Sequence, residues 1–179
     1  MTPVIRSLGD LMQIAFVPEN IDAALQYWTK TMGVGPFFRL EHAQNALTKT
    51  TFRGQPCEAD YSLMIAYWGD VQVELIEQHN DAPSIYTEWR NNRSEGMHHV
   101  SILADDFEHV KKVCFAAGCS LLQDGESESA VFAYFDTHAG AGSILEVLCP
   151  GPEIRAYHQF MKTTCRGWDG KDPIRQFAT

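Results

Sequence analysis

The sequence predicts an α+β fold built from two tandem βαβββ modules, and two observations support that prediction. First, the order of strand-like and helix-like segments in residues 11–78 is repeated in residues 98–149. Second, each module opens on a strand that carries a potential metal ligand and closes on a strand that carries a Glu among apolar residues. We therefore expect a single domain over residues 1–179, with a linker helix in 79–97 and a C-terminal helix and tail in 150–179.

The first module begins with the apolar run 13–17, and apolar residues then recur at helical spacing over 21–32. Asn20 is placed as an N-cap of this helix, and Gly33 follows it as a stop signal. The remaining strands of the module are predicted at 37–40, 61–68 and 71–77.

The second module repeats this order. A strand over 99–104 leads into a helix over 107–117, for which Asp105 and Asp106 offer a cap. The remaining strands are predicted at 119–122, 131–136 and 144–148, with a polar loop at 123–129. Outside the modules we predict helices over 84–93 and 152–164, and no pattern from Cys165 onward.

The two modules differ in length at one place. Glu74 follows Gln13 by 61 positions, whereas Glu146 follows His99 by 47. The excess of 14 is explained by the polar segment 41–58, which we interpret as a loop insertion. Lengthening a loop costs little free energy, so the insertion is compatible with the repeat.

The opening and closing strands place four polar side chains in equivalent positions: Gln13, Glu74, His99 and Glu146. An unpaired carboxylate is rarely embedded in an apolar strand, so two of them suggest one shared polar site. If the modules curl toward a common cavity, the four side chains can converge. One amide oxygen, two carboxylates and one imidazole suit a divalent ion with open positions, such as Zn, Mn, Co, Ni or Fe(II).

A metal ion in such a site can polarise a substrate carbonyl and lower the pKa of the adjacent C–H group. Glu74 and Glu146 are the candidate catalytic residues for moving that proton, since burial raises the basicity of a carboxylate. Either His98 or His99 could be the imidazole ligand, and the alignment of the strand that follows with the first module favours His99. The other histidines lie in polar or helical contexts that predict solvated or paired side chains: His42, His79, His109 and His158.

Residues 11–149 resemble the vicinal oxygen chelate superfamily, which includes glyoxalase I, methylmalonyl-CoA epimerase, extradiol dioxygenases and bleomycin-resistance proteins. The resemblance is carried by Gly-Met-His-His-Val at 96–100, Asp-Asp-Phe at 105–107 and Val-Gln-Val-Glu-Leu-Ile at 71–76. These segments are most similar to the methylmalonyl-CoA epimerase branch. The resemblance implies a U-shaped mixed sheet around a central cavity, and a homodimer.

The resemblance also implies a metal held by the first and last strands of each module, which here means Gln13, Glu74, His99 and Glu146. The branch usually has His where this chain has Gln13, and an amide oxygen binds transition metals less tightly than an imidazole. The second catalytic acid of an epimerase has no clear match, although Glu58 lies near the relevant region.

Three functional hypotheses follow. The first is a metal-dependent lyase, isomerase or epimerase that abstracts a proton from a small carbonyl compound or thioester and stabilises the enolate. The second is a metal-free protein that binds a small molecule, as antibiotic-resistance proteins do, in the same cavity. Extradiol ring cleavage is less favoured, because its iron is held by two His and one Glu and only His99 is a convincing match.

Composition excludes several partner classes. A formal net charge of -9 and a pI near 5.1 leave no basic surface for nucleic acid or for an anionic membrane. Neither a signal peptide nor a membrane-spanning run is recognisable, and five scattered cysteines suggest reduced thiols, so we expect a cytoplasmic protein.

Overall fold

The computed structural model describes residues 5–94, 96–140 and 144–177, in which eleven strands form one mixed sheet with four α-helices. The strands are β1 Leu11–Phe16, β2 Phe37–Leu40, β3 Leu47–Phe52, β4 Gln55–Pro56, β5 Tyr61–Trp68, β6 Val71–Gln78, β7 Met97–Leu103, β8 Ser120–Ser127, β9 Ala130–Asp136, β10 Ile144–Pro150 and β11 Ile174–Gln176. The helices are α1 Ile21–Gln26, α2 Ile85–Asn91, α3 Phe107–Ala116 and α4 Pro152–Arg166.

The strand order β11-β2-β5-β6-β1-β7-β10-β9-β8-β3-β4 contains the two modules side by side. In each module the first strand pairs in parallel with the last, and the other pairs are antiparallel. An antiparallel pairing of β1 with β7 joins the modules. The predicted α+β class and tandem repeat are confirmed, and β7 begins one residue before the predicted module boundary.

The helices begin at residues that can cap them. Asn20 accepts a hydrogen bond from the backbone N–H of Ala23, and Asp106 accepts one from the N–H of His109. The first helix continues beyond α1 as a π-helical segment, Tyr27–Thr31, and the chain then turns at Gly33, whose φ of 67° favours glycine. Sequence signals therefore set these boundaries well.

The predicted loop over 41–58 is wrong. The segment contains a short 3-10 helix, Ala43–Ala46, and a hairpin formed by β3 and β4. Strand β3 pairs with β8, the outer strand of the second module, and the Thr51 hydroxyl donates to the Asp124 carboxylate. The segment begins after β2, in the first module, and pairs with β8, in the second. It therefore extends from one module to the other.

The predicted loop over 123–129 is also wrong, because β8 continues to Ser127. Its acidic residues and Gly125 have the composition of a turn, but a Cβ at Gly125 would overlap the ring of Phe132 on the neighbouring strand. The glycine therefore makes room for an aromatic ring. In the tail, where no pattern was predicted, β11 adds in parallel to β2.

Helices α1 and α3 cover one face of the sheet. Leu25 and Trp28 pack against Val73 and Leu75 in the first module, and α3 makes the matching apolar cluster in the second. Helix α4 packs near β5 and β10 and buries Met161 completely. Among the described residues, no helix is long and apolar enough to cross a membrane.

Candidate functional site

The four side chains proposed as metal ligands lie on four neighbouring strands, β6, β1, β7 and β10, in the middle of the sheet. All four are buried: Gln13 is 4% exposed, Glu74 4%, His99 0% and Glu146 7%. The alternation of strand residues directs them to one face. The structure therefore brings the whole predicted set together.

Their polar atoms converge on the Nε2 atom of His99. This nitrogen lies 3.3 Å from Gln13 Oε1, 3.5 Å from Glu146 Oε2 and 3.7 Å from Glu74 Oε2. All three neighbours are oxygen atoms with lone pairs. This arrangement requires either a proton shared between one of these oxygen atoms and the imidazole nitrogen, or a cation among them.

His98 determines which nitrogen of His99 faces the oxygens. The Nε2 atom of His98 lies 3.5 Å from the carbonyl of Ile85, which can only accept, so His98 donates there and accepts at Nδ1. His98 Nδ1 lies 2.9 Å from His99 Nδ1, which must then be the donor. Burial and the neighbouring His99 lower the pKa of His98 to about 3, so His98 stays neutral. His99 Nε2 is consequently the nitrogen presented to the site.

A chain of hydrogen bonds orients the amide of Gln13. Its Nε2 donates to Gln72 Oε1 at 2.7 Å, and Gln72 Nε2 donates to the hydroxyl of Tyr67 at 2.8 Å. With its nitrogen occupied, Gln13 turns its oxygen toward His99. Gln72 was not predicted as a site residue, although it lies on the same strand face as Glu74.

The two carboxylates have different protonation behaviour. Burial, together with the charge of Glu146, raises the pKa of Glu74 well above its usual range, and a hydrogen bond with Gln13 offsets only part of this. Burial also acts to raise the pKa of Glu146, but hydrogen bonds with His99 and Tyr134 and the charge of His99 outweigh it and lower the pKa. The surroundings therefore favour the neutral form of Glu74 and the ionised form of Glu146.

A cavity of about 150 Å³ lies against this cluster. Gln13, Glu74 and Glu146 line it from the sheet, and Ile154 and His158 line it from α4. Its other walls are apolar or aromatic: Leu40, Tyr61, Leu63, Ile65, Tyr86, Ala130, Phe132, Tyr134, Leu148 and Phe177, with Gln72.

His158 departs from the prediction at one ring nitrogen, although its side chain is only partly buried. Its Nδ1 atom is buried and has no hydrogen-bond partner in the described residues, and burial lowers the pKa of its imidazole to about 4. It is therefore a neutral base next to the cavity. Helical spacing alone could not show that α4 lies over the site.

Three tyrosines surround the carboxylates as neutral groups. The hydroxyls of Tyr86 and Tyr134 are 3.2 Å apart, and the ring of Tyr134 packs edge-on against His99. Burial raises the pKa of Tyr61, Tyr86 and Tyr134. These hydroxyls can donate hydrogen bonds to a ligand without adding charge.

The types of donor atom at this site suit a divalent metal ion. Ligand atoms at about 2.0–2.2 Å from one ion lie roughly 3 to 3.6 Å from each other, which is close to the spacing around His99 Nε2. The tautomer of His99 and the orientation of Gln13 both turn lone pairs into the site. Glu146 and, once a bound cation displaces its proton, Glu74 supply the charge that a divalent ion requires.

Residues 12–135 match the Glyoxalase/Bleomycin resistance protein/Dioxygenase superfamily. The chain belongs to this superfamily. The match covers most of both modules and agrees with the resemblance seen in the sequence. No curated protein sequence matches the chain.

Solved structures with the same fold include methylmalonyl-CoA epimerases. The enzyme from Mycobacterium tuberculosis is 12% identical, with 83% of this chain and 93% of that chain covered and a TM-score of 0.59. A hypothetical protein from Bacillus halodurans is 15% identical, with 78% and 93% covered and a TM-score of 0.57. A variant of the Streptomyces coelicolor epimerase in complex with 2-nitronate-propionyl-CoA is 14% identical, with 79% and 94% covered and a TM-score of 0.54. At these identities the similarity establishes the fold alone.

Proposed function

We propose that this protein is a metal-dependent enzyme of the isomerase or epimerase type that moves a proton next to the carbonyl of a small acyl compound or thioester. The supporting observation is the buried pair Glu74 and Glu146, which share one cavity with opposite shifts of pKa and meet at a single imidazole nitrogen. Carboxyl groups whose pKa values are pushed apart are suited to act as acid and base.

Gln13, Glu74, His99 and Glu146 would hold the metal ion, which would supply Lewis acidity toward a substrate carbonyl. The residues themselves account for the proton transfer. Glu146, the carboxylate with the lowered pKa, can accept a proton from the carbon next to that carbonyl. The neutral hydroxyls of Tyr86 and Tyr134 can donate hydrogen bonds to a polar group of the substrate.

An epimerase must remove a proton from one face of a carbon and return one to the other face. The carboxylates line the cavity from the sheet, whereas His158 lines it from α4. A substrate carbon between them would have an acid or base on each side. His158 thus provides the second proton-transfer group that the sequence did not reveal, and the nearest sequence candidate, Glu58, does not line the cavity.

The cavity indicates the size of the reacting group. A volume of about 150 Å³ is below that of pockets that enclose a drug-sized ligand, so it has room for an acyl group of a few carbon atoms. Apolar side chains such as Leu63, Leu148 and Ile154 suit a short alkyl substituent. The epimerases with the same fold, one solved with methylmalonyl-CoA, make this thioester the first compound to test.

The test is incorporation of solvent deuterium at C2 of methylmalonyl-CoA by the metal-depleted protein and after addition of Mn, Co, Ni or Zn. We expect metal-dependent exchange in the wild type and its loss in Glu146→Gln. His109→Gln, on the exposed side of α3, is the control and should retain exchange. No exchange with any of these metals would contradict the proposal for this thioester, and metal-independent exchange would contradict the metal requirement.

A metal-free binding protein is the second candidate, and the aromatic lining favours it. Tyr61, Tyr86, Phe132 and Tyr134 surround the cavity with rings that could hold a planar ligand. Stoichiometric binding of an aromatic compound by metal-depleted protein, without any exchange activity, would support this function. The homodimer and the cytoplasmic location stay predictions, and sedimentation tests the first.

A further inference from the structure

A second cluster of metal-ligating side chains lies away from the cavity, where three strands end. His42 follows β2, Asp60 precedes β5 and His79 follows β6. Because β2, β5 and β6 are neighbouring antiparallel strands, these three positions fall at the same end of the sheet. None of the three lines the cavity.

The geometry of the cluster is close to that of a metal site. One ligand atom from each of the three side chains lies within 4.8 Å of the others, and His42 Nδ1 is 2.7 Å from Asp60 Oδ1. The two imidazole rings are 5.2 Å apart. Ligand atoms around a zinc ion are roughly 3 to 3.6 Å apart, so a bound ion would replace the proton that His42 and Asp60 share in their hydrogen bond of 2.7 Å.

The backbone around the cluster is held in place. Ser62 is 1% exposed, and its Oγ accepts from the N–H of His42 at 3.2 Å and lies 2.7 Å from His79 Nε2. The N–H of His79 donates to the carbonyl of Asp60 at 2.7 Å. A hydroxyl that binds one ring nitrogen of a histidine fixes the ring and leaves the other nitrogen for a metal. His79 has this arrangement.

We propose that His42, Asp60 and His79 form a second, peripheral divalent-metal site that binds Zn²⁺ or a similar ion. The ion would hold together the two ends of the segment 42–60. Two imidazoles and one carboxylate are a common donor set for Zn, Co and Ni, with water in the open positions. The exposure of His42 and His79 gives an ion direct access from solvent.

The position of the cluster determines what a bound ion would do. His42 and Asp60 stand at the two ends of the segment that carries the β3–β4 hairpin across to β8. The same segment buries Ala43 and Ala59 in the apolar cluster that contains Tyr61 and Tyr86 of the cavity wall. An ion that joins His42, Asp60 and His79 therefore closes this loop at its base and stabilises the folded position of the insertion.

The experiment counts bound Zn²⁺ by equilibrium dialysis and elemental analysis in wild type, His42→Ala, His99→Ala and the double variant. We expect two equivalents in the wild type, one in each single variant and none in the double. His109→Ala, an exposed histidine outside both sites, is the control and should bind as the wild type does. Circular dichroism checks that each variant is folded. We expect His42→Ala to fold because the side chain of His42 is exposed.

The outcomes separate the two sites. Binding by His99→Ala that is lost in the double variant supports the peripheral site even if the central site fails. Binding that His42→Ala retains in full, or no binding by the wild type, overturns the peripheral site. As a second readout, Zn²⁺ should raise the melting temperature of His99→Ala but not of the double variant.

Discussion

Glu74 and Glu146 occupy the same position in the two modules. Gln13 pairs with Gln72, two residues before Glu74, and His99 pairs with Ile144, two residues before Glu146. The repeat is therefore preserved at the level of strand register. The two carboxyl groups nevertheless differ in chemistry. The hydrogen bond and charge of His99 stabilise the ionised form of Glu146, whereas only a hydrogen bond with the amide of Gln13 stabilises the ionised form of Glu74.

This difference predicts opposite pH dependences of stability. Because the pKa of Glu74 is raised in the folded state, the folded state holds a proton that the unfolded state has lost between the two pKa values. The contribution of Glu74 to stability therefore falls as pH rises from its unfolded pKa through its folded pKa. In a chelating buffer, Glu74→Gln should therefore gain stability relative to wild type with rising pH, by about 1.4 kcal/mol for each unit by which folding raises the pKa of Glu74. Denaturant unfolding at a series of pH values measures this.

Glu146→Gln is the matched comparison. The lowered pKa of Glu146 gives a stabilisation that is present above its unfolded pKa and lost as pH falls through the folded value. Its substitution should remove stability at neutral pH and have less effect at a pH below the folded pKa of Glu146. Parallel pH profiles for the two variants would show that the carboxylates are not differentiated.

The identity of residue 13 should control metal affinity. Gln13 offers an amide oxygen, and Gln72 holds its nitrogen away from the site. Gln13→His would replace this oxygen by an imidazole nitrogen. We expect the affinity of the central site for Zn²⁺ or Co²⁺ to rise by roughly tenfold or more. Titration in the His42→Ala background isolates this site. Unchanged affinity would mean that residue 13 is not a ligand.

The predictable part of the molecule is the part governed by local pattern. Strand alternation and the spacing of apolar residues located both modules, and the repeat identified the four central side chains. Helix caps such as Asn20 and Asp106 act within a few residues and could be read directly.

The missed features depend on partners distant in sequence. Strand β3 is stabilised by pairing with β8, and Gly125 lies in a strand because Phe132 fills the space above it. Likewise, His158 is a cavity residue only because α4 packs across the sheet. Residue composition in these segments resembles that of loops or solvent-exposed helices, so tertiary contacts decide their structure.

Gly125→Ala should destabilise the protein more than an ordinary surface substitution. A Cβ would overlap the ring of Phe132, so the ring must move, and we expect a loss of about 1 to 3 kcal/mol in the free energy of unfolding. The control is Gly167→Ala, where a Cβ meets no atom within 4 Å. Phe132→Leu should relieve most of the cost in the double variant. Additive effects of the two substitutions would rule out this contact as the cause.

His158→Gln should separate proton removal from epimerisation. If the carboxylates serve one face of the substrate carbon and His158 the other, the variant should still exchange the proton of one epimer of methylmalonyl-CoA with solvent deuterium. It should convert that epimer to the other at least about tenfold more slowly than wild type. NMR follows exchange and a chiral assay follows conversion in the same sample. If His158 had only a structural role, the rates of exchange and of conversion would fall together for both epimers. If both rates equalled those of the wild type, His158 would lie outside the proton-transfer pathway.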